Sequence, residues 1–542
     1  MLFLQLLASF FLLLLPLLSI LFLTKASAAP KKQSSPQPST TTTLPRSYPI
    51  IGSLLAVIAN RHRSIQWISD ILQVSPSATY LLHRNFATRV VLTANPAVVQ
   101  HILKTHFHNY GKGGYFSKTL KDLLGHGIFN VDGESWKFQR QVASHEFNTK
   151  SLRKFVETVV DTEISDRLIP ILSSAAATRT VIDFQDILQR FAFDNICKIA
   201  FGFDPAYLLP SLPQTKFAQA FEDSVKISSE RFRSLIPLVW KIKKLLNIGS
   251  EKRLRIAVSE VQEFAKSVIR EKKHELREKS SLDSVDLLSR FLSSGHSDEN
   301  FVTDIVISFI LAGRDTTSAA LTWYLWLLSK NPHVESEVLK EVNEKSEATA
   351  FDEVKDMVYT HASLCESMRL YPPVAADSKE AVNDDVLPDG TVVKKGMRVT
   401  YIPYAMGRSE ALWGKDWAEF KPERWLEREE TENRQWRFVG RDAYTYTVFQ
   451  AGPRICLGKE MAFLQMKRVV AGILRQFKVV PVIEEGVEPE FVPQLTSKMK
   501  GGLPMKTVVA GVLRRFNVVP ALEEGAEPEF VPQLTSKMKG GL

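Results

Sequence analysis

Residues 2–23 read LFLQLLASFFLLLLPLLSILFL, an apolar run without a charged side chain. Roughly 20 such residues cross a bilayer as a helix, and Pro16 kinks such a helix without forbidding it. The pattern predicts a membrane anchor over residues 1–24. Residues 30–49, PKKQSSPQPSTTTTLPRSYP, lose all apolar periodicity. A segment dominated by Pro, Ser and Thr builds no packed element, which predicts a hinge over 25–54 and a folded body over 55–504. Within that body, apolar positions recur at helical spacing in 151–172, 217–246 and 251–279, with Pro237 expected to break the second of these. From Ile305 onward an apolar run is interrupted only by AGRDTTS at 312–318; SFIL precedes it and AALTWYLWLL follows, so one continuous buried helix is expected. ATRVVLT at 87–93 and TVVKKGMRVTYIPY at 391–404 read as strands and turns. The fold class that follows is mostly α with a smaller β region.

The C-terminus repeats itself: residues 466–503 match residues 505–542 at 31 of 38 positions. Two units are too few for a solenoid. Each copy reads as a helix end, a strand, an acidic turn and a strand pair, and one domain has room for one such unit. The first copy is expected to complete the domain. Residues 505–542 are then a surplus duplicate.

Charge and cysteine usage narrow the setting. The net charge is +9 over 542 residues, without a long basic tract, which speaks against nucleic acid. The three cysteines, Cys197, Cys365 and Cys456, show no CxxC spacing, which argues against a zinc finger and against a disulfide-stapled fold and makes a reducing compartment the natural setting. The ASAAP stretch at 26–30 leaves a cleaved signal peptide as the alternative to an anchor. The long apolar run and the basic residues after it, Lys25, Lys31, Lys32 and Arg46, favour the anchor, with a lumenal N-terminus and a cytosolic body.

The chemistry concentrates in FQAGPRICLGKE at 449–460. A thiolate needs a reason to be stable near neutrality, and a metal supplies one. A lone cysteine cannot close a tetrahedral zinc site, but it serves as the axial ligand of a porphyrin iron. Gly452 and Gly458 permit an open loop around Cys456, Arg454 can pair with a porphyrin propionate, and Phe449 can pack beside the sulfur. The pattern F449-x-x-G452-x-R454-x-C456-x-G458 resembles the cysteine-ligand loop of the cytochrome P450 superfamily.

Three further motifs keep that family's order. Trp136 and Arg140 in GESWKFQR share a helical face and resemble its early haem-propionate contact; alone they are equally a packing or cation–π pair. AGRDTTS resembles the acid–alcohol pair of its long central helix, with Asp315 and Thr316 relaying protons to dioxygen; without the apolar flanks, Asp315 would read as an N-cap. Glu366 and Arg369 in CESMRL, with Arg424 in FKPERW, resemble its core-stabilising triad; a lone Glu/Arg pair at i,i+3 is usually a surface ion pair. The resemblance covers about 45–504 and departs from the family in the extra copy.

The resemblance implies the P450 fold, haem b with Cys456 as ligand, and monooxygenase chemistry fed by NADPH–cytochrome P450 reductase at the endoplasmic reticulum membrane. No nucleotide-binding GxGxxG is present for direct use of NADPH. Lys137, Lys459, Lys467 and Arg468 are candidates for a basic docking face, or else ordinary solvated charges. FILAGRDTTSAALTWYLWLL and YPPVAADSKEA at 371–381 look like the plant fatty-acid omega-hydroxylase clan, whose smaller branch also oxidises the jasmonoyl-isoleucine hormone conjugate. Motif order places a pocket at Tyr115, Phe116, Thr119, Leu120, Phe309, Ala312, Val374 and Ala375, each of which also reads as core. Hydroxylation of that conjugate is the near alternative; a peroxide-rearranging P450, a non-catalytic haem protein and an inactive product of the duplication are the more distant ones.

Overall fold

A computed structural model describes residues 44–509, apart from 86–87, 148, 279–285, 295–297, 345–349, 429–435 and 483–486, together with 530–531 and 537–538. The expected anchor at 2–23 lies outside the described residues, and no described helix is long and apolar enough to cross a membrane. The chain divides into two compact units. One runs through Gly113 and includes Ala376–Trp417 and Glu484–Glu488; the other holds Gly114–Ala375, Ala418–Ile483 and Pro489 onward.

The first unit is built on a five-stranded sheet in the order Thr79–Asn85, Thr88–Thr93, Arg398–Tyr401, Asp377–Ala381, Tyr110–Gly111. Thr88–Thr93 runs parallel to Arg398–Tyr401 and the other pairs are antiparallel. Thr88–Thr93 of the first strand-like stretch and Arg398–Tyr401 of the second are therefore neighbours in this sheet, while Val392–Val393 of the second pairs separately with Asp385–Val386.

The second unit is mainly helical and is organised around the helix Glu299–Lys330. Asp298 caps it by accepting the Asn300 amide at 3.0 Å, and Pro332, which cannot continue a helix, opens the next one. Ser308, Thr316, Ser318 and Thr322 each donate their hydroxyl to the carbonyl four residues earlier, at 2.6–2.8 Å. These hydroxyls are thus satisfied inside the helix, which lets most of its length be buried. Gly313 is the point of closest approach to Phe184–Phe201: a Cβ there would lie 2.5 Å from Ile196. An aromatic cluster including Phe193, Phe217, Phe221 and Phe264, from three neighbouring helices, fills the core beside it. Pro237 acts as expected. The long periodic segment divides into Lys216–Arg233 and Pro237–Leu246, with the proline in the first turn of the second helix.

The repeat departs from its expected boundary. The first copy forms the end of the helix Lys459–Gln476, the strand Phe477–Pro481 and the pair Phe491–Val492 with Lys498–Met499. Residues 505–509 do not repeat the helical start of their counterpart. Pro504–Val509 is a strand, paired over five positions with Phe477–Pro481 and over two with Ile182–Asp183. The boundary expected at 504 falls inside this sheet, because the strand of the first copy takes the opening of the second as its partner. Of the rest of the second copy, Phe530–Val531 pairs with Lys537–Met538 in the register of the first.

Candidate functional site

Cys456 sits two residues before the N-terminus of the helix Lys459–Gln476. Its amide donates to the Phe449 carbonyl at 2.9 Å and closes the loop. Gly452 holds φ at +65°, a conformation that suits glycine and makes the turn possible. Phe449 packs on Phe463 of the following helix, ring centroids 5.2 Å apart. The Cys456 side chain is accessible, yet enough protein surrounds it that desolvation pushes its thiol up. The Gly458 amide, Arg140 and Lys459 work the other way without prevailing. A bound cation completes what these groups begin, because a metal deprotonates a coordinating thiol outright.

The three aromatic and basic residues expected at one edge do come together. The guanidinium of Arg454 lies 4.4 Å from the Trp136 ring centroid, and that of Arg140 lies 5.9 Å from the same ring. Arg454 also donates to the Val131 carbonyl at 3.0 Å and pairs with Asp132 at 2.6 Å, a partner the sequence did not announce. Trp136 is buried on Gly133–Ser144, and burial lowers the Arg140 guanidinium while Cys456 counteracts it. One loop and one helix thus supply an accessible sulfur and two cations on an indole, a donor set that fits an anionic porphyrin with a metal centre.

The central helix carries the second half of the site. From Val302 to Leu328 every residue is buried except Ala312, Gly313 and Thr316. Ala312 and Thr316 stand at i and i+4, so one partly accessible stripe opens there, while Gly313 beside it packs against Ile196. The Thr316 hydroxyl is held on the Ala312 carbonyl at 2.6 Å. Asp315 is buried and pairs with Arg314 at 2.6 Å. Burial raises its carboxyl above the usual range, and the neighbouring cations Arg314 and Lys498 do not cancel that effect. Arg314 in turn holds Glu222 at 2.9 Å, and Lys498 closes on the same carboxylate. Burial opposes the Glu222 charge, but these two cations outweigh it and bring Glu222 down to about 2. Sequence reasoning missed Arg314, Glu222 and Lys498. The signal available was an arginine beside an aspartate within an apolar run.

The turn of the first repeat copy reaches this place. Thr496 donates to Asp315 Oδ2 at 3.3 Å, and Ser497 donates its amide to the Pro373 carbonyl at 2.7 Å and its hydroxyl to that of Pro372 at 2.9 Å. Val374, half-buried, follows directly, while Ala375 is buried. The pocket candidates therefore divide. Ala312 is accessible on the stripe. Tyr115 and Phe116 are half-buried and pack on Phe232, at 5.8 and 5.5 Å. Leu120 and Phe309 are members of the hydrophobic core, and Thr119 is buried with its hydroxyl on the Tyr115 carbonyl.

Glu366 is fully buried on Val358–Leu370 and accepts from Arg369 (2.8 and 2.7 Å), Arg424 (3.1 Å), the Trp425 indole (3.0 Å) and the Lys421 amide (3.1 Å). The triad holds together as expected, and Trp425 is a member the sequence reading overlooked. Breaking a buried ion pair on one side costs about 3–5 kcal/mol, because the remaining charges stay desolvated without compensation. Glu366→Gln is expected to destabilise the fold by about that amount, read by urea denaturation; a change under about 1 kcal/mol would contradict the burial argument.

The four candidates for a basic docking face differ in exposure. Lys467 is buried and donates to the Lys355 carbonyl at 3.2 Å, with burial pulling its ammonium down to about 8. Arg468 is engaged by Asp161 and Glu353. A cation at helical spacing looks solvated in sequence, but here the helix buries that face against acidic partners. Lys137 remains exposed and pairs with Glu134, and Lys459 is half-buried beside Cys456.

Comparison with known proteins agrees with this geometry. The family model described as Cytochrome P450 matches residues 43–504. Cytochrome P450 94A2 of Vicia sativa is 66% identical over 472 residues, covering 86% of this chain and 92% of that protein. Cytochrome P450 94A1 of the same plant is 66% identical over 462 residues, with 85% and 90% covered. Cytochrome P450 94B1 of Arabidopsis thaliana is 51% identical over 461 residues, again with 85% and 90% covered.

Proposed function

The chain belongs to the cytochrome P450 family, and from that membership we propose that it hydroxylates fatty acids at or near the terminal carbon. It is a haem-thiolate monooxygenase using dioxygen and electrons that originate in NADPH. In the proposed setting a reductase delivers those electrons, and an anchor at 2–23 holds the protein on the endoplasmic reticulum membrane with its catalytic body in the cytosol.

When bound, the haem supplies the redox chemistry that activates dioxygen and places one of its oxygen atoms in a C–H bond. The other oxygen leaves as water, which consumes protons as well as electrons. Cys456 would hold the metal of that group through its sulfur, and Arg140, Arg454 and Trp136 would receive its anionic edge. Asp315 offers a buried carboxyl whose pKa burial raises, and Thr316 presents its hydroxyl at the accessible stripe. The observation that carries the reading is that stripe: Ala312 and Thr316 open on a helix that is otherwise almost wholly buried. The substrate class rests on the resemblance of 371–381 and of the central helix to the omega-hydroxylase clan. The aromatic group of Tyr115, Phe116 and Phe232 suits an alkyl chain. Terminal C–H bonds are stronger than internal ones, so terminal attack depends on how the chain is positioned.

Thr316→Ala and Asp315→Asn test the proton role. Both are expected to retain haem, with product formed per NADPH consumed falling by about ten-fold or more. Unchanged coupling in both variants would reject the relay.

A further inference from the structure

Three of the eleven histidines lie within HILKTHFH at 101–108. The backbone here departs from the α-helix. After Pro96–Gln100, His101–Thr105 winds as a π-turn, and the His106 amide donates to the His101 carbonyl at 2.8 Å. Five residues of α-helix advance by about 500° and would leave these two side chains about 140° apart. The wider turn brings them back over one another, with ring centroids 4.0 Å apart. Such π-turns recur at functional sites in other proteins.

Asp385, at the start of the strand Asp385–Val386, meets this pair within the same unit. Its Oδ2 lies 2.9 Å from His101 Nε2 and 3.3 Å from His106 Nδ1. The three atoms all lie within 4.8 Å of one another. Ligands at about 2.0–2.1 Å from a tetrahedral zinc stand about 3.3 Å apart, so both distances to the carboxylate are close to those of a coordinated set. Tyr110 donates its hydroxyl to the same Oδ2 at 2.8 Å, and the Val386 amide donates to Oδ1 at 2.8 Å. These two donors orient the carboxylate, as second-layer groups do around protein metal sites. His106 is half exposed while His101 and Asp385 are largely covered, which gives the set an open side.

We propose that His101, His106 and Asp385 form a binding site for a divalent transition-metal ion, with Zn2+ as its natural probe. Two imidazoles and one carboxylate are the ligand types zinc accepts, and the open side leaves its fourth position to water. The ion would tie the π-turn to the start of the strand Asp385–Val386. The site takes no part in the monooxygenase reaction assigned above.

The test uses the full, haem-loaded chain without a histidine tag, dialysed against Zn2+ at fixed pH and assayed for metal and haem together. The wild-type protein is expected to hold one more zinc per haem than His106→Ala, with affinity in that variant and in His101→Ala lowered by at least about ten-fold. His108→Ala, an exposed neighbour outside the cluster, is expected to bind as wild type. His106 is exposed enough that its replacement leaves the fold intact, which the haem content of the variant reports independently. A wild-type protein holding no more zinc than His106→Ala would overturn the proposal, as would equal loss in His108→Ala.

Discussion

A chain ended after Val509 is expected to fold and take up haem as the full chain does, whereas one ended after Pro504 is expected to yield little haem protein. The five residues between these stops form the strand that pairs with Phe477–Pro481 along its whole length. Met505 is fully buried, and Thr507 is buried with its hydroxyl 3.2 Å from the Leu172 carbonyl. Deleting a buried side chain of this size costs about 2–5 kcal/mol, and each lost ladder bond adds roughly 0.5–1.5 kcal/mol. The sum approaches the whole stability of a typical domain, about 5–15 kcal/mol. Haem yield per milligram of purified protein decides it: equal yields from the two truncations would show that the strand is dispensable.

Replacing Cys456 with alanine is expected to abolish monooxygenase turnover and the red-shifted thiolate band of the ferrous carbon monoxide complex. The protein surroundings of Cys456 disfavour its thiolate on balance, so the sulfur depends on a metal to hold its charge. The Cys456 side chain contributes little to packing, being accessible, and Phe449, Arg454 and Trp136 keep their own contacts without it. The variant should therefore keep its helical content by circular dichroism while losing the band. Retention of both band and turnover would displace Cys456 from the ligand role.

What could be read in advance follows the range of the interactions involved. The central helix was legible because an apolar run with internally bonded hydroxyls leaves it no alternative but burial. The loop at Cys456 and the partners of Glu366 were legible because short motifs carry them in a known order. Trp425, beside Arg424 in FKPERW, had no spacing to mark its indole as a donor to Glu366, and Asp132 meets Arg454 only when distant segments fold together. Lys467 and Arg468 misled for the same reason: a cation on a helix looks solvated until distant groups arrive, the Lys355 carbonyl for Lys467 and Asp161 and Glu353 for Arg468.

The repeat gives the sharpest case. MKRVV at 466–470 is helical and MKTVV at 505–509 is a strand. The paired valines are acceptable in either state, and tertiary context selects between them. The single difference agrees with that selection. Arg468 has acidic partners on its helix, while Thr507, a good strand former, fills a buried position where a guanidinium would be uncompensated.

The most direct test of the proposed function is turnover of the purified protein with NADPH–cytochrome P450 reductase on lauric acid, with products located by mass spectrometry. The account predicts hydroxylation at or beside the terminal carbon, dependent on both NADPH and dioxygen. Hydroxylation mainly at internal carbons, or turnover of jasmonoyl-isoleucine with none of the fatty acid, would contradict it.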